Sequence, residues 1–376
     1  MKPYIYADNA ATTKLDIDAF EAMKQWLLED YGNPSQPYAF SRNPKKAIAE
    51  SREIIAECIG AQPEEIIFTS GGSESDNWAI KGSALADQQH RATITSEFEH
   101  HAVLNSCAAI ERLGYPVAYM PPSSDGVILP ETLERFISND TRLVSVMFAN
   151  NEIGSIQRIG ELCKIAHSYG ALFHTDAVQA VGHVDIDVKA LGVDMLSSSA
   201  HKFNGPKGIG FLFKKRDTDI PPYIDGGAQE SSLRAGTENV AAIVGMATAL
   251  KKNCDIIAEN KTHLISLEDM LLEMLRSANV SFVRNGGNNT LPGLLSLSFP
   301  NAEGEAILHR MDLAGISIST GSACDSKNTN ISHVLKAIQL DDRLAIGTIR
   351  ISLGKYNTTS DVENIAKALI KICNRK

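Results

Sequence analysis

Between residues 65 and 215 the chain repeats one pattern, a short apolar run and then a connecting segment, and this repetition constrains the fold more than any other feature. The runs are "EIIFTS" (65–70), "RATITS" (91–96), "PVAYMP" (116–121), "LVSVMFA" (143–149), "ALFHTDA" (171–177), "VDMLSSSA" (193–200) and "GIGFLFKK" (208–215). Such runs fit strands covered on both faces in a mostly parallel sheet. Parallel neighbours need crossovers, and residues 73–89, 101–113 and 159–169 carry apolar positions at helical spacing, with Gly114 and Gly170 as stop signals. Only "HKFNGPK" separates the last two runs, too little for a crossover helix, so it predicts a hairpin-like connection and one antiparallel strand. The expectation is an α/β fold with a seven-stranded, mostly parallel sheet and helices on both faces.

Residues 241–276 read as long helix, and "GLLSLSFP" (293–300) and "TIRISLGK" (348–355) as strands alternating with helices. This predicts a smaller α+β domain, with a boundary near residue 255. A chain of 376 residues that is 43% hydrophobic is long enough for two such domains. Its net charge of -9 and pI near 5.6 argue against partnership with nucleic acid or anionic lipid, either of which would repel it. No membrane span or signal segment is visible, which predicts a cytoplasmic protein. Cys58, Cys107, Cys163, Cys254, Cys324 and Cys373 are scattered, without metal-ligand spacing, as expected of free thiols in a reducing compartment.

Ligand sites in open parallel sheets lie beyond the carboxyl ends of the strands, and polar residues gather there. Lys202 follows "VDMLSSSA" among small residues, where a desolvated amine could form a Schiff base with a carbonyl; the alternative is a solvated turn lysine. Asp176 ends "ALFHTDA", placed to keep a pyridinium nitrogen protonated or, alternatively, to cap a helix. In "TSGGSESDNWAIKG" Gly71 and Gly72 open a helix whose N–H groups suit a phosphate, although the P-loop pattern is missing and an ordinary capped helix would read the same way. "SEFEHHAVLNSC" sets His100 at another strand end, for ring stacking and proton transfer or for structure, and "FANNEIGSIQ" adds Asn150 and Asn151. Together these strand ends suit one phosphorylated, ring-shaped cofactor.

In this order, "YADNAATT", "GNPSQPYAF", "FTSGGSESDNWAIKG", "EHHAVL", "NNEIGSIQ", "HTDAVQAVG", "SSAHKFNGPKGIGFL", "RAGTENV", "STGSAC" and "TIRISLGKYNT" resemble the cysteine desulfurases of the class V aminotransferase family over nearly the whole chain. The resemblance implies fold type I, with a large pyridoxal 5'-phosphate domain (15–255) and a small domain (1–14 and 256–376) carrying the catalytic cysteine loop. It implies conversion of L-cysteine to L-alanine with the sulfur kept as a persulfide. By position, Lys202 would bond the cofactor, Asp176 would pair with its ring nitrogen and Gln179 with its phenolic oxygen. His100 would stack on the ring and shuttle protons, with Asn151 beside the cofactor. Gly72, Ser73, Ser199 and His201 would bind the phosphate, and Thr237 that of a partner subunit, which requires a homodimer. Arg350, assisted by Asn151, would clamp the substrate carboxylate, the alternative being a surface strand arginine. Cys324 would carry the persulfide on a long loop and pass it to an acceptor such as an iron–sulfur scaffold; without the resemblance it reads as an inert thiol.

The chain departs from the family pattern after Cys324, where "DSKNTNISH" lacks the common Glu-Pro pair, at Lys14 in "ATTK", where proline is usual, and at Ser231 and Ser232. It stops at Lys376 without the C-terminal extension that helps some members dock a scaffold, so the acceptor stays open. A selenocysteine lyase on the same fold and a non-catalytic sulfur carrier are the other readings. The intact Lys202 speaks against the second.

Overall fold

The computed structural model describes residues 4–300, 302–320 and 331–373. Within them the strands are β1 (Ile5–Tyr6), β2 (Ile66–Thr69), β3 (Ala92–Ser96), β4 (Val117–Met120), β5 (Thr141–Ser145), β6 (Leu172–Asp176), β7 (Met195–Ser199), β8 (Gly210–Lys214), β9 (Val283–Asn285), β10 (Leu294–Ser298), β11 (Ile316–Ser317) and β12 (Thr348–Ser352). All seven apolar runs become strands of one sheet, in the order β2-β8-β7-β6-β5-β3-β4. Its pairs are parallel except for β8, which runs antiparallel to both β7 and β2, as the short "HKFNGPK" connection requires.

Successive residues of these strands point to opposite faces. Phe68, Val144, Phe173, Leu196 and Phe211 enter one core, together with Ile55 and Ile59 from the helix Arg42–Ile59 and Leu250 from the helix Val240–Asp255. Their immediate neighbours Ile67, Leu143, Met195 and Leu212 enter the opposite core, against Trp78 and Ile80 from the helix Gly72–Ala86 and Val103 and Ile110 from the helix His101–Glu111. A strand flanked by two cores needs apolar residues at every position, and this accounts for the continuous runs.

The stretch read as one long helix is two, Val240–Asp255 and Ile257–Ser277, broken where Ile256 leaves helical geometry (φ -118, ψ 14). The two bury their apolar faces in different places. Leu264, Leu267 and Leu271 of the second helix join Ile5, Leu295, Leu297, Ile349, Ile351 and Leu369 in a third core, under the antiparallel sheet β12-β10-β9 and the parallel pair β1-β11. Val334, Leu335 and Ile338, although late in the sequence, pack into the first core.

Candidate active site

The carboxyl ends of β3, β6 and β7, the start of the helix Gly72–Ala86, the segment 147–151 and β12 surround one cavity of about 330 Å³. Gly72, Ser73, His100, Asn151, Asp176, Gln179, Ser199, His201, Lys202 and Arg350 all line it, so the structure brings together most of the residues singled out from sequence. Thr237 does not line it and sits in a separate recess with Ser70, Gly208 and Asn239. Cys324 lies outside the described residues.

Lys202 closes the single 3-10 turn Ala200–Lys202 that follows β7. Its Nζ donates to the Ala10 and Ala11 carbonyls at 2.6 and 3.0 Å, and the Gln179 amide donates to Ala10 O at 2.9 Å. The "YADNAATT" segment is therefore a wall of the cavity, a role its sequence did not reveal. His100 caps the helix His101–Glu111, and its Nδ1 accepts from the Ala102 N–H at 3.1 Å. This bond assigns the ring proton to Nε2, leaving a donor on the opposite edge. Burial lowers the pKa of His100, with Lys202 and His101 adding to the effect and Asp176 opposing it, so the neutral ring is favoured.

Asp176 ends β6 and is buried, which raises its pKa; His100, the Val178 N–H at 2.9 Å and Lys202 all favour its charged form. Beside it lie three groups that the sequence reading passed over. Asp76 is one turn beyond Ser73 on the same helix, and His174 is two residues before Asp176 on the same strand face, spacings that could have found both. His174 is fully buried between Ser145 Oγ (2.8 Å) and Ser197 Oγ (2.9 Å), and burial pushes its pKa down to about 3. Glu99 takes the Ser96 hydroxyl (2.5 Å) and the Met147 N–H (2.9 Å) on one oxygen, and burial pushes its pKa up to about 8.

At the opposite end the helix Gly72–Ala86 begins without a side-chain cap, so the N–H groups of its first turn stay available for an anion. Ser73 belongs to that turn, and Ser199 and His201 line the same cavity. Close packing makes the glycines necessary: a Cβ on Gly72 would collide with Val178, and one on Gly210 would come within 2.7 Å of the Gly71 Cα. An uncapped helix start at one end, a buried carboxylate at the other and an amine between them match the phosphate, ring nitrogen and aldehyde of pyridoxal 5'-phosphate.

Arg350 on β12 is the residue that the second sheet contributes. It is buried, not a surface arginine, and donates from Nη2 to Asp8 at 2.6 Å and from Nη1 to the Asn151 carbonyl at 2.9 Å. Its Nε has no partner among the described residues. A buried guanidinium with donors to spare, facing a cavity, suits a substrate carboxylate.

Fold and site together define a fold type I pyridoxal-phosphate enzyme. The family model described as Aminotransferase class-V matches residues 5–365. The chain is 47% identical to "Cysteine desulfurase IscS" of Dictyoglomus turgidum, the match covering 100% of this chain and 96% of that protein, and 44% identical to "Cysteine desulfurase IscS" of Methanosarcina thermophila, covering 99% and 92%. Among solved structures, a "NIFS-LIKE PROTEIN" superposes with a TM-score of 0.93 at 37% identity, covering 98% of this chain and 99% of that one. "SspA in complex with cysteine" superposes with a TM-score of 0.83 at 36% identity, covering 94% and 100%. The chain belongs to the class-V aminotransferase family and, within it, to the pyridoxal-phosphate-dependent cysteine desulfurases.

Proposed function

We propose that this cysteine desulfurase moves the sulfur of L-cysteine to Cys324 as a persulfide, releases L-alanine and delivers the sulfur to an acceptor protein, of iron–sulfur cluster assembly or another sulfur-using pathway. One observation carries the reading: a single cavity is lined by Lys202, the neutral His100 imidazole, the buried Asp176 carboxylate and the Arg350 guanidinium. The structure solved with cysteine and the relatives named cysteine desulfurase support L-cysteine as substrate.

Bound pyridoxal 5'-phosphate supplies an electron sink conjugated to the substrate Cα. Lys202 would hold that cofactor through its amine, and the same amine is placed to take the substrate Cα proton. Asp176 pairs with the ring nitrogen, Gln179 with the phenolic oxygen, and the first turn of the helix Gly72–Ala86 with Ser73, Ser199 and His201 holds the phosphate. Asn151 and Arg350 orient the substrate carboxylate. The Cys324 thiolate forms an S–S bond to the substrate sulfur while the substrate C–S bond breaks, its electron pair passing to carbon. A proton delivered to that carbon, moved by His100 through Nε2, and the Cα proton given back by Lys202 would complete alanine.

The position of Thr237, outside the cavity of its own chain, supports a homodimer in which it completes the partner's phosphate site. The helices on either side of Ile256 bury their apolar faces in different cores, which supports division into a large unit (15–255) and a small one (1–14 and 256–376), although Ala10, Leu291, Leu294, Val334, Leu335, Ile338 and Ala345 of the small unit pack into the first core. Cys58, Cys107, Cys163, Cys254 and Cys373 are free thiols, and no helix among the described residues is long and apolar enough to cross a membrane, which supports a cytoplasmic location.

The test is incubation with sulfur-labelled L-cysteine followed by mass spectrometry of the Cys324 peptide, which should gain one labelled sulfur. Cys324→Ser should keep the visible band of the bound cofactor and form no persulfide. Undiminished sulfide release by that variant would overturn the assignment.

A further inference from the structure

Three buried carboxyl groups interact electrostatically at the Asp176 side of the cavity: Asp76 at 1% exposure, Glu99 at 0% and Asp176 at 5%. One oxygen each of Asp76 and Asp176 and one ring nitrogen of His100 lie within 4.8 Å of one another. Asp76 Oδ1 has no hydrogen-bond partner among the described residues, and Asp76 lines the cavity with Asp176. An ionised carboxylate in that position would be desolvated, without a cation of its own and close to a second carboxylate. Asp176 has a backbone N–H and the Lys202 and His100 groups to favour its charge. Asp76 has instead His174 at 3.7 Å, a ring kept neutral by its burial between two serines.

We infer that Asp76 is a positioning residue beneath the cofactor ring, an uncharged acid whose O–H faces Asp176 and keeps that carboxylate ionised and opposite the ring nitrogen. The inference rests on the role proposed above for Asp176. The charged groups facing Asp76 agree in sign. Asp176 on β6 and Glu99 beyond β3 repel an ionised Asp76, Ser197 on β7 offsets this in part, and burial opposes ionisation most of all. Lys202 and His100 spend their influence on Asp176. With Asp76 and Glu99 protonated, Asp176 holds the one negative charge of the trio, where a pyridinium needs it. Two buried carboxyls sharing a site divide charge and proton in this way because both cannot ionise.

Three variants of the holoenzyme test it through cofactor retention on dialysis and the pH titration of the visible band. Asp76→Asn preserves shape and an N–H donor, and should match the parent within about twofold in retention, with an unmoved titration midpoint. Asp76→Leu removes the donor and should loosen the cofactor by about tenfold, the size of one lost hydrogen bond to a charged group. The infrared difference between parent and Asp76→Asn should contain the stretch of a protonated carboxyl. A carboxylate stretch in its place, or a midpoint displaced in Asp76→Asn as far as in Asp76→Leu, would overturn the inference alone. Asp176→Ala is the control: unchanged retention there would overturn the Asp176 assignment and this inference with it. Should Asp76→Leu fail to fold, the infrared comparison still decides.

Discussion

The floor of the cavity and the segment 226–238 are built on opposite principles. The floor is the ends of β3, β6 and β7, where buried groups find partners on adjacent strands and turns: His174 in Ser145 and Ser197, one oxygen of Glu99 in Ser96 and the Met147 N–H, Asp176 in the Val178 N–H, while Asp76 Oδ1 and Glu99 Oε2 have no hydrogen-bond partner among the described residues. The segment has no strand to hold it, and Glu230, Ser231 and Ser232 take left-handed φ values of 45, 57 and 65 in succession. Each costs roughly 1–2 kcal/mol in an L-residue. Two ion pairs hold the segment there: Arg52 with Glu230 at 2.6 Å, on a carboxylate that also accepts the Phe68 N–H, and Arg234 with Glu74 at 2.9 Å. Glu74 is in the first turn of the helix whose uncapped start lines the cavity, so the segment is tied to the cavity without lining it. The comparison teaches that strand ends hold their buried polar groups through adjacent strands and turns, whereas a shaped loop beside them depends on charges supplied by helices elsewhere in the chain.

The largest effect is expected on the floor side. Lys202→Ala should lower turnover by about ten-thousandfold and abolish the absorbance of covalently bound cofactor, because one amine serves as both tether and base; steady-state alanine formation and the visible spectrum check it. At the rim, Arg350→Lys keeps a cation for Asp8 but loses the planar fork. The KM for L-cysteine should rise about tenfold with a smaller change in kcat. An unchanged KM would remove Arg350 from substrate binding.

Arg52→Ala sharpens the contrast. It strands the Glu230 carboxylate, whose side chain is 4% exposed, and should cost about 3 kcal/mol in urea unfolding while leaving the visible band of the cofactor in place. A displaced band would mean that floor and segment are one unit. The smallest effect concerns pH. Glu99 is an acid raised from 4.5 to about 8, so the folded protein holds a proton that the unfolded chain gives up, and stability falls as pH climbs through that window. Glu99→Gln should flatten this fall, seen as a smaller difference between unfolding midpoints at pH 5 and pH 8.

Much of the floor was legible because strand ends and helix starts are local. Asp176 lies at the close of an apolar run, Lys202 two residues past one and His100 four residues past another, and the pattern that marks the strand also marks its end. Asp76 and His174 were written at the same periods and were passed over because a buried polar residue inside an element reads as an exception to it. The Ala10 and Ala11 carbonyls could not be read at all, since a backbone acceptor carries no side-chain signature. The pairing of Arg350 with Asp8 joins residues 342 positions apart.

What the sequence determined alone was periodicity: seven continuous apolar runs, their crossovers and one short hairpin, which fix the sheet because burial on both faces permits little else. Tertiary structure decided which strand ends converge, where the long helix breaks at Ile256, and which carboxyls lie buried beside one another. The physical reason is range. Hydrophobic patterning acts within a few residues of chain, whereas electrostatics in a desolvated cavity depends on groups that only folding brings within a few ångströms.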